Sequence, residues 1–297
     1  MSETASEQTA SEHNASDQTV LIAGCGDLGT ETGLLLRSHG HPVIGVRRRS
    51  ALLPEGFEGQ SIDLRVERPV VPDGLAAVVV ALTAPSRTAE SYRETYVDGL
   101  RNVLAAIIEG GQSPRLILVS STAVYGVDDG SVVDERTPTA ASSPTSAVLL
   151  EAEGLAASAP LESCLLRLSG IYGPGRERLI TQVRGGEARL TAAPVFTNRI
   201  HRDDAARAIV HLALRAAPPP PAVIGVDDAP AELNDVLRFL ADEIGLPAPL
   251  VGDRAASGAG NRRMSNALLR STGFDFTYPT YREGYAAVLE GGQIRHP

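Results

Sequence analysis

An α/β fold, a doubly wound parallel sheet with a small C-terminal lobe, is what this sequence predicts. Three observations carry it. Short apolar runs alternate with helical stretches from residue 19 to residue 170. The run "AAVVVAL" is apolar on successive residues, as a strand covered on both faces should be. Three glycines, at 24, 26 and 29, stand between the first run and the first helix.

The elements follow in order. "MSETASEQTASEHNASDQ" is a loose five-residue repeat with almost nothing apolar to bury, so residues 1–18 are expected to form a disordered tail. "TVLIAG" predicts the first strand and residues 28–36 a helix that stops at Gly40, with Pro42 just beyond. "PVIGV" is a second strand, "SIDL" a short third and "AAVVVAL" a fourth. "ESYRETYVDGLRNVLAAIIEGG" predicts a long helix with a glycine stop, "RLILVSS" a fifth strand, "TSAVLLEAEGLAAS" a helix and "SCLLRLSGI" a sixth strand. Residues 19–170 thus make one domain of β-α alternation. From residue 171 to 297 the rhythm loosens into a lobe with a returning helix at 204–217, stopped by "PPPP", and a returning strand, "PAVIGVDD". Further helices are predicted at 233–244, 265–272 and 282–290.

Composition narrows the function. Of 297 residues, 43% are apolar and the formal charge is −9, which disfavours broad contact with nucleic acid or an anionic membrane. No apolar run approaches the ~18 residues of a membrane span. All 27 basic residues are arginine, so chemistry that needs an amine of adjustable pKa is excluded. Cys25 and Cys164 have neither metal-ligand nor disulfide-framework spacing, and a reducing cytoplasm is the simplest setting.

"IAGCGDLGTETG" carries Gly24-x-Gly26-x-x-Gly29 after a strand and at the start of a helix, the context of a Rossmann-like dinucleotide loop. Gly24 allows the tight turn, Gly26 lets the backbone approach a pyrophosphate and Gly29 lets helix and strand pack closely. The helix start, Asp27 and Leu28 included, offers free N–H groups to the phosphates. An NAD site would place an acid about 20 residues on, at the end of the second strand. Here that place holds Arg47, Arg48 and Arg49. Guanidinium binds a phosphate bidentately, so the cluster predicts NADP(H), with NAD as the alternative. Asp63 is placed either to meet the adenine edge or to close a turn.

"GCGDLG", "LVSSTAVYG", "RLSGIYGPGR" and "NRIHRDDAARAI", in this order, make the chain resemble the NAD(P)-dependent epimerase/dehydratase family, the extended short-chain dehydrogenases/reductases. The GxGxxG spacing and the closing "NRRMSNALLRSTGFDFTYPTYREG" resemble its atypical subgroups. The resemblance implies a C-terminal substrate lobe, a homodimer through the long helices, and a catalytic Ser or Thr, Tyr and Lys. The first position falls on Ser121, beside Thr122, where it would also meet the cofactor. The Tyr-Lys register falls on Thr145 and Leu149, and neither does that chemistry. Candidate proton carriers are then Tyr172 and His201, with Tyr125 expected to pack beneath the site. Arg178, Arg199 and Arg262 are candidates for an anionic substrate such as a nucleotide sugar. The readings that follow are an oxidoreductase acting on an unidentified small molecule, or a dinucleotide-binding sensor or partner-binding module without turnover.

Overall fold

The computed structural model describes residues 18–252 and 260–297. The tail expected at residues 1–18 lies, apart from Gln18, outside the described residues. Seven strands form the central sheet: β1 (Val20–Ala23), β2 (Val43–Arg47), β3 (Glu58–Ser61), β4 (Ala77–Val80), β5 (Arg115–Ser121), β6 (Ser163–Leu168) and β7 (Ala222–Gly225). Their order across the sheet is β3-β2-β1-β4-β5-β6-β7, and every neighbouring pair is parallel. This is a Rossmann-like sheet with its strand order reversing between β1 and β4.

Successive residues of β1 and β4 feed opposite cores. Val20 and Ile22 of β1, with Ala77 and Val79 of β4, pack under α1 (Asp27–Ser38) and α6 (Arg202–Leu214). Leu21, Ala23, Val78 and Val80 face the other side. There they meet α3 (Gly99–Glu109) and α4 (Pro144–Ala157). A strand buried on both faces needs the unbroken apolar run that "AVVV" supplies. The helices have legible ends. Ser143 caps α4 in a capping box with Ser146, and Pro144 fills the first turn. The long helix predicted before β5 is a rod of α2 (Ala89–Tyr92), a π-helical stretch (Arg93–Asp98) and α3.

Four expectations shift. The third strand is 58–61 rather than "SIDL", because β3 pairs through Glu58 to Ser61 with β2. The returning helix starts two residues early, at Arg202, and ends at Leu214. The last helices, α8 (Ala267–Ser271) and α9 (Tyr281–Glu290), differ by a residue or two at their ends. "SCLLRLSGI" is not one strand. β6 stops at Leu168, where Ser169 N–H turns to Gly225 O, and Gly170–Tyr172 pairs instead with Arg199–His201. That second ribbon leads into the lobe. The lobe's core joins α5 (Arg178–Arg184), α7 (Leu233–Ile244) and α9 around Ile180, Leu237, Leu240 and Tyr285.

Leu100, in α3, has no exposed surface. Leu100→Ala is expected to destabilise the fold by about 2–5 kcal/mol in urea unfolding, the range for a buried leucine. A loss under about 1 kcal/mol would show that α3 is not packed as described.

Candidate functional site

Two adjoining cavities run along the C-terminal edge of the sheet, at the point where strand order reverses. They share Gly24, Gly26, Ala81, Leu82 and Thr83. The first, about 470 Å3, reaches the ends of β2 and β3. The second, about 310 Å3, reaches the ends of β5 and β6.

The glycine loop joins them. Gly24 has φ +87°, and a Cβ there would lie 2.7 Å from Ala81 O. A Cβ on Gly29 would lie 3.0 Å from Gly24 O and 3.1 Å from the Ile22 side chain, so this glycine sets the helix against the strand. Gly26 differs: a Cβ there would meet no protein atom within 4 Å. Packing does not explain Gly26, and the space beside it is what a pyrophosphate would fill. Gly26 caps α1 without a side-chain hydrogen bond, so the first-turn N–H groups stay available for an anion. The residues present therefore fit a dinucleotide.

Asp27 stands in that first turn, where its charge would repel a phosphate. Its carboxylate is turned aside and neutralised. Arg202 Nη1 donates to Oδ1 at 2.9 Å, Arg176 Nε to Oδ2 at 2.8 Å and the His296 N–H to Oδ1 at 3.1 Å. Arg202 is itself 2% exposed and also meets Asp203 and Glu31. Leu28 sends its side chain into the core under α1. What Asp27 and Leu28 offer a ligand is backbone.

Arg47, Arg48 and Arg49 all line the first cavity. Among the described residues none of their side chains is held by an ion pair or hydrogen bond, although Arg65 nearby is bound to Asp63 at 2.6 Å. Arg47 Nη1 is buried with no partner at all. Asp63 lines the same cavity, but its carboxylate accepts from the Arg65 side chain and the Arg65 N–H. Those hydrogen bonds, with the charge of Arg48 adding, hold it below the usual carboxylate range. The turn role of Asp63 is thus realised.

The second cavity collects Ser121, Thr145 and Leu149 with Tyr92 and Tyr96. Ser121 Oγ accepts from Ala123 N–H at 3.1 Å, leaving its own proton to donate. Thr145 and Leu149 line the cleft where the family register would put Tyr and Lys. Tyr92 ends α2 and Tyr96 lies in the π-helical stretch, their ring centroids 5.0 Å apart. Burial, then the neighbouring Tyr92, pushes the Tyr96 phenol up. Sequence reasoning passed over this pair; two tyrosines four residues apart on one helix was the available signal. Beneath the floor, Tyr125 is fully buried and accepts from Arg167 Nη1 at 2.8 Å. Arg167 is paired with buried Glu153 at 2.7 Å, and Ser120 donates to the same carboxylate at 2.6 Å.

Tyr172 and His201 do not reach the cleft. In the Gly170–Tyr172 strand, alternation points Ile171 into the cavity and Tyr172 into the lobe. The Tyr172 ring packs 4.3 Å from Tyr285 and its hydroxyl, without a partner, lies against Gly284. Burial first, then the charge of Asp227, drives its pKa far above the usual phenol range. His201 has no exposed surface, and its Nδ1 accepts from Asp203 N–H at 3.2 Å, capping α6. Burial lowers its pKa, against the pull of Asp203 and Asp204. The basic candidates are also mostly spoken for. Arg262 donates to Thr122 O, Tyr125 O and Val127 O at 2.9–3.0 Å, and Arg199 lies buried over the Tyr281 ring. Arg178 is exposed on α5 and lines neither cavity. Among the described residues no group of three or more His, Cys, Asp or Glu is placed to hold a metal, and no helix is long and apolar enough to cross a membrane.

A parallel sheet of this order, with a glycine loop and an open helix start at its switch point, defines a nicotinamide-dinucleotide-binding α/β protein. The model of the NAD dependent epimerase/dehydratase family matches residues 20–225, and the chain belongs to that family. Protein YeeZ of Escherichia coli (strain K12) is 28% identical over 281 residues, 88% of this chain and 96% of YeeZ. A Methylobacillus flagellatus protein solved as a candidate NAD-dependent epimerase/dehydratase is 38% identical, with a TM-score of 0.73 over 92% of this chain and 98% of its own. The UDP-glucuronic acid 4-epimerase of Bacillus cereus, solved in complex with NAD, shares the fold at a TM-score of 0.76 with 17% identity, covering 92% and 98%.

Asp227, below the cleft, gives a pH test of this packing. Its Oδ2 has no partner, and burial raises the carboxyl to about 7 against the pull of Arg199. In the unfolded chain the same acid ionises near ~3.9. Its contribution to stability is therefore fully present below pH ~4 and is lost as pH rises to about 7. Asp227→Asn is expected to raise Tm at pH 8 more than at pH 5; an equal shift at both, or a fall at pH 8, would contradict the buried acid.

Proposed function

We propose that this protein binds NADP(H) and works as an oxidoreductase on a carbonyl-bearing small molecule. The observation that carries the cofactor choice is the unpaired guanidinium cluster at the end of β2, with Arg47 Nη1 buried and unpartnered beside the cleft. A carboxylate at this place would repel a 2′-phosphate; three arginines attract one. The loop at Gly24, Gly26 and Gly29 would take the pyrophosphate, and the nicotinamide end would lie toward Ser121. The bound cofactor supplies hydride chemistry. Ser121 holds the substrate oxygen through its free proton, and water entering the open cleft supplies the proton that the oxygen takes up as the hydride adds to carbon.

A second reading is favoured by one specific observation. Thr145 and Leu149 line the cleft at the places where the family's proton carrier and its activating cation would stand. On that reading the protein senses dinucleotide occupancy and turns nothing over. Steady NADPH oxidation with any member of a carbonyl and sugar-nucleotide panel, abolished by Ser121→Ala, would eliminate it.

The cofactor assignment is tested by calorimetry on Arg47→Glu/Arg48→Glu. Losing hydrogen bonds to a charged group, at about 1.5–3 kcal/mol each, is expected to weaken NADPH by at least ~10-fold. NADH is expected to change much less. Equal loss of both would refute the phosphate role. Gly26→Trp, which fills the open space beside the loop, is expected to abolish binding of both.

A further inference from the structure

The geometry points to a small, uncharged, planar carbonyl compound as the second ligand of this cleft, stacked on Tyr92 and Tyr96, and not to a nucleotide sugar. This rests on the reading of the cleft as a dinucleotide-dependent oxidoreductase site and names the class of molecule it accepts.

Charge decides first. A nucleotide sugar brings a pyrophosphate that must find cations. Arg176 is the one cation lining the second cavity among the described residues. It is bound through Nε to Asp27 at 2.8 Å, in the first turn of α1, and so belongs to the end where the cofactor's own phosphates would sit. The other arginines near the lobe are consumed or remote. Arg262 is 7% exposed with its two terminal nitrogens on loop carbonyls, Arg199 is 4% exposed and lies over the Tyr281 ring, and neither they nor Arg178 line this cavity. Among the described residues no further arginine lines this cavity, and the chain has no lysine. A dianion placed here would be desolvated without a partner, a cost of several kcal/mol.

Size and surface decide next. The cavity is about 310 Å3, at the lower end of ligand pockets, and a nicotinamide would share it. Its walls beyond the glycine loop mix Leu82, Leu149, Leu168 and Ile171 with the hydroxyl-bearing Thr83, Thr145 and Ser169, and the tyrosine pair joins them. A flat ligand gains by stacking on an aromatic ring beyond the area it buries. The π-helical stretch holds Tyr96 beside Tyr92 at this wall, and such stretches often mark functional sites. Ser121 supplies one hydroxyl donor at the mouth of β5, suited to a carbonyl oxygen.

The probes are 9,10-phenanthrenequinone and UDP-glucose, titrated into protein saturated with NADP+. Binding is read by calorimetry, with quenching of tyrosine fluorescence beside it, since the chain has no tryptophan and two of its seven tyrosines line the cleft. The quinone is expected to bind saturably and UDP-glucose to show no saturable binding up to about 1 mM. Tyr92→Ala/Tyr96→Ala should weaken the quinone at least ~10-fold, and Tyr92→Phe/Tyr96→Phe, which keeps both rings, should retain its affinity. For the alanine variant, calorimetry alone reads binding. Should that variant fail to fold, the wild-type competition and the phenylalanine variant still decide. Saturable UDP-glucose binding that displaces the quinone would overturn the inference, as would quinone affinity unchanged in the alanine variant. If NADP+ itself fails to bind, the cofactor reading falls separately. The same titrations without dinucleotide then carry the same two outcomes for the aromatic site.

Discussion

The reversal of strand order between β1 and β4 is the constraint on which the rest of this molecule depends. At that point the connecting helices leave to opposite faces of the sheet, and a crevice opens at the strand ends. The glycine loop is lodged in it, with the arginines of β2 on one side and the Ser121 end of β5 on the other. Both cavities share the loop because both are halves of this one crevice. Every functional side chain discussed here is placed by its distance along the sheet from that point.

Charge is distributed around the crevice in a consistent way. Two buried guanidinium groups are matched by carboxylates: Arg202 by Asp27, Glu31 and Asp203, and Arg167 by Glu153. Breaking one partner of such a buried pair costs about 3–5 kcal/mol, so these networks also pin the loop's first helix to α6 and the C-terminal segment. At the end of β2 the matching stops. Three adjacent guanidinium groups repel one another there, and the carboxylate in the same cavity, Asp63, is hydrogen-bonded to Arg65, an arrangement suited to binding an anion. The contrast between satisfied and unsatisfied arginines in one chain is stronger evidence than the arginines alone.

Much of this was legible in the sequence because it is local. A strand, three glycines and a helix in tight succession have few folded alternatives, and the double-faced apolar runs dictate a covered parallel sheet. Arg47 to Arg49 were legible because β2 ends beside the loop. Tyr172 and His201 misled because face was not readable: a strand break at Ser169 and one-residue alternation put Ile171, not Tyr172, in the cleft. Tyr92 and Tyr96 were hidden inside what read as an ordinary amphipathic helix. Arg202 and Arg262 look like surface cations in sequence, and only tertiary contacts from Asp27 and from the carbonyls at Thr122, Tyr125 and Val127 reveal them as buried ties.

The central claim is that the arginines at the end of β2 bind the phosphate on the adenosine ribose. A crystal structure of the protein with NADP+ measures it most directly. The account predicts that phosphate within hydrogen-bonding distance of Arg47 and of at least one of Arg48 and Arg49, with the pyrophosphate over Gly26. A dinucleotide whose ribose phosphate faces solvent, with the three guanidinium groups still unengaged, would contradict it.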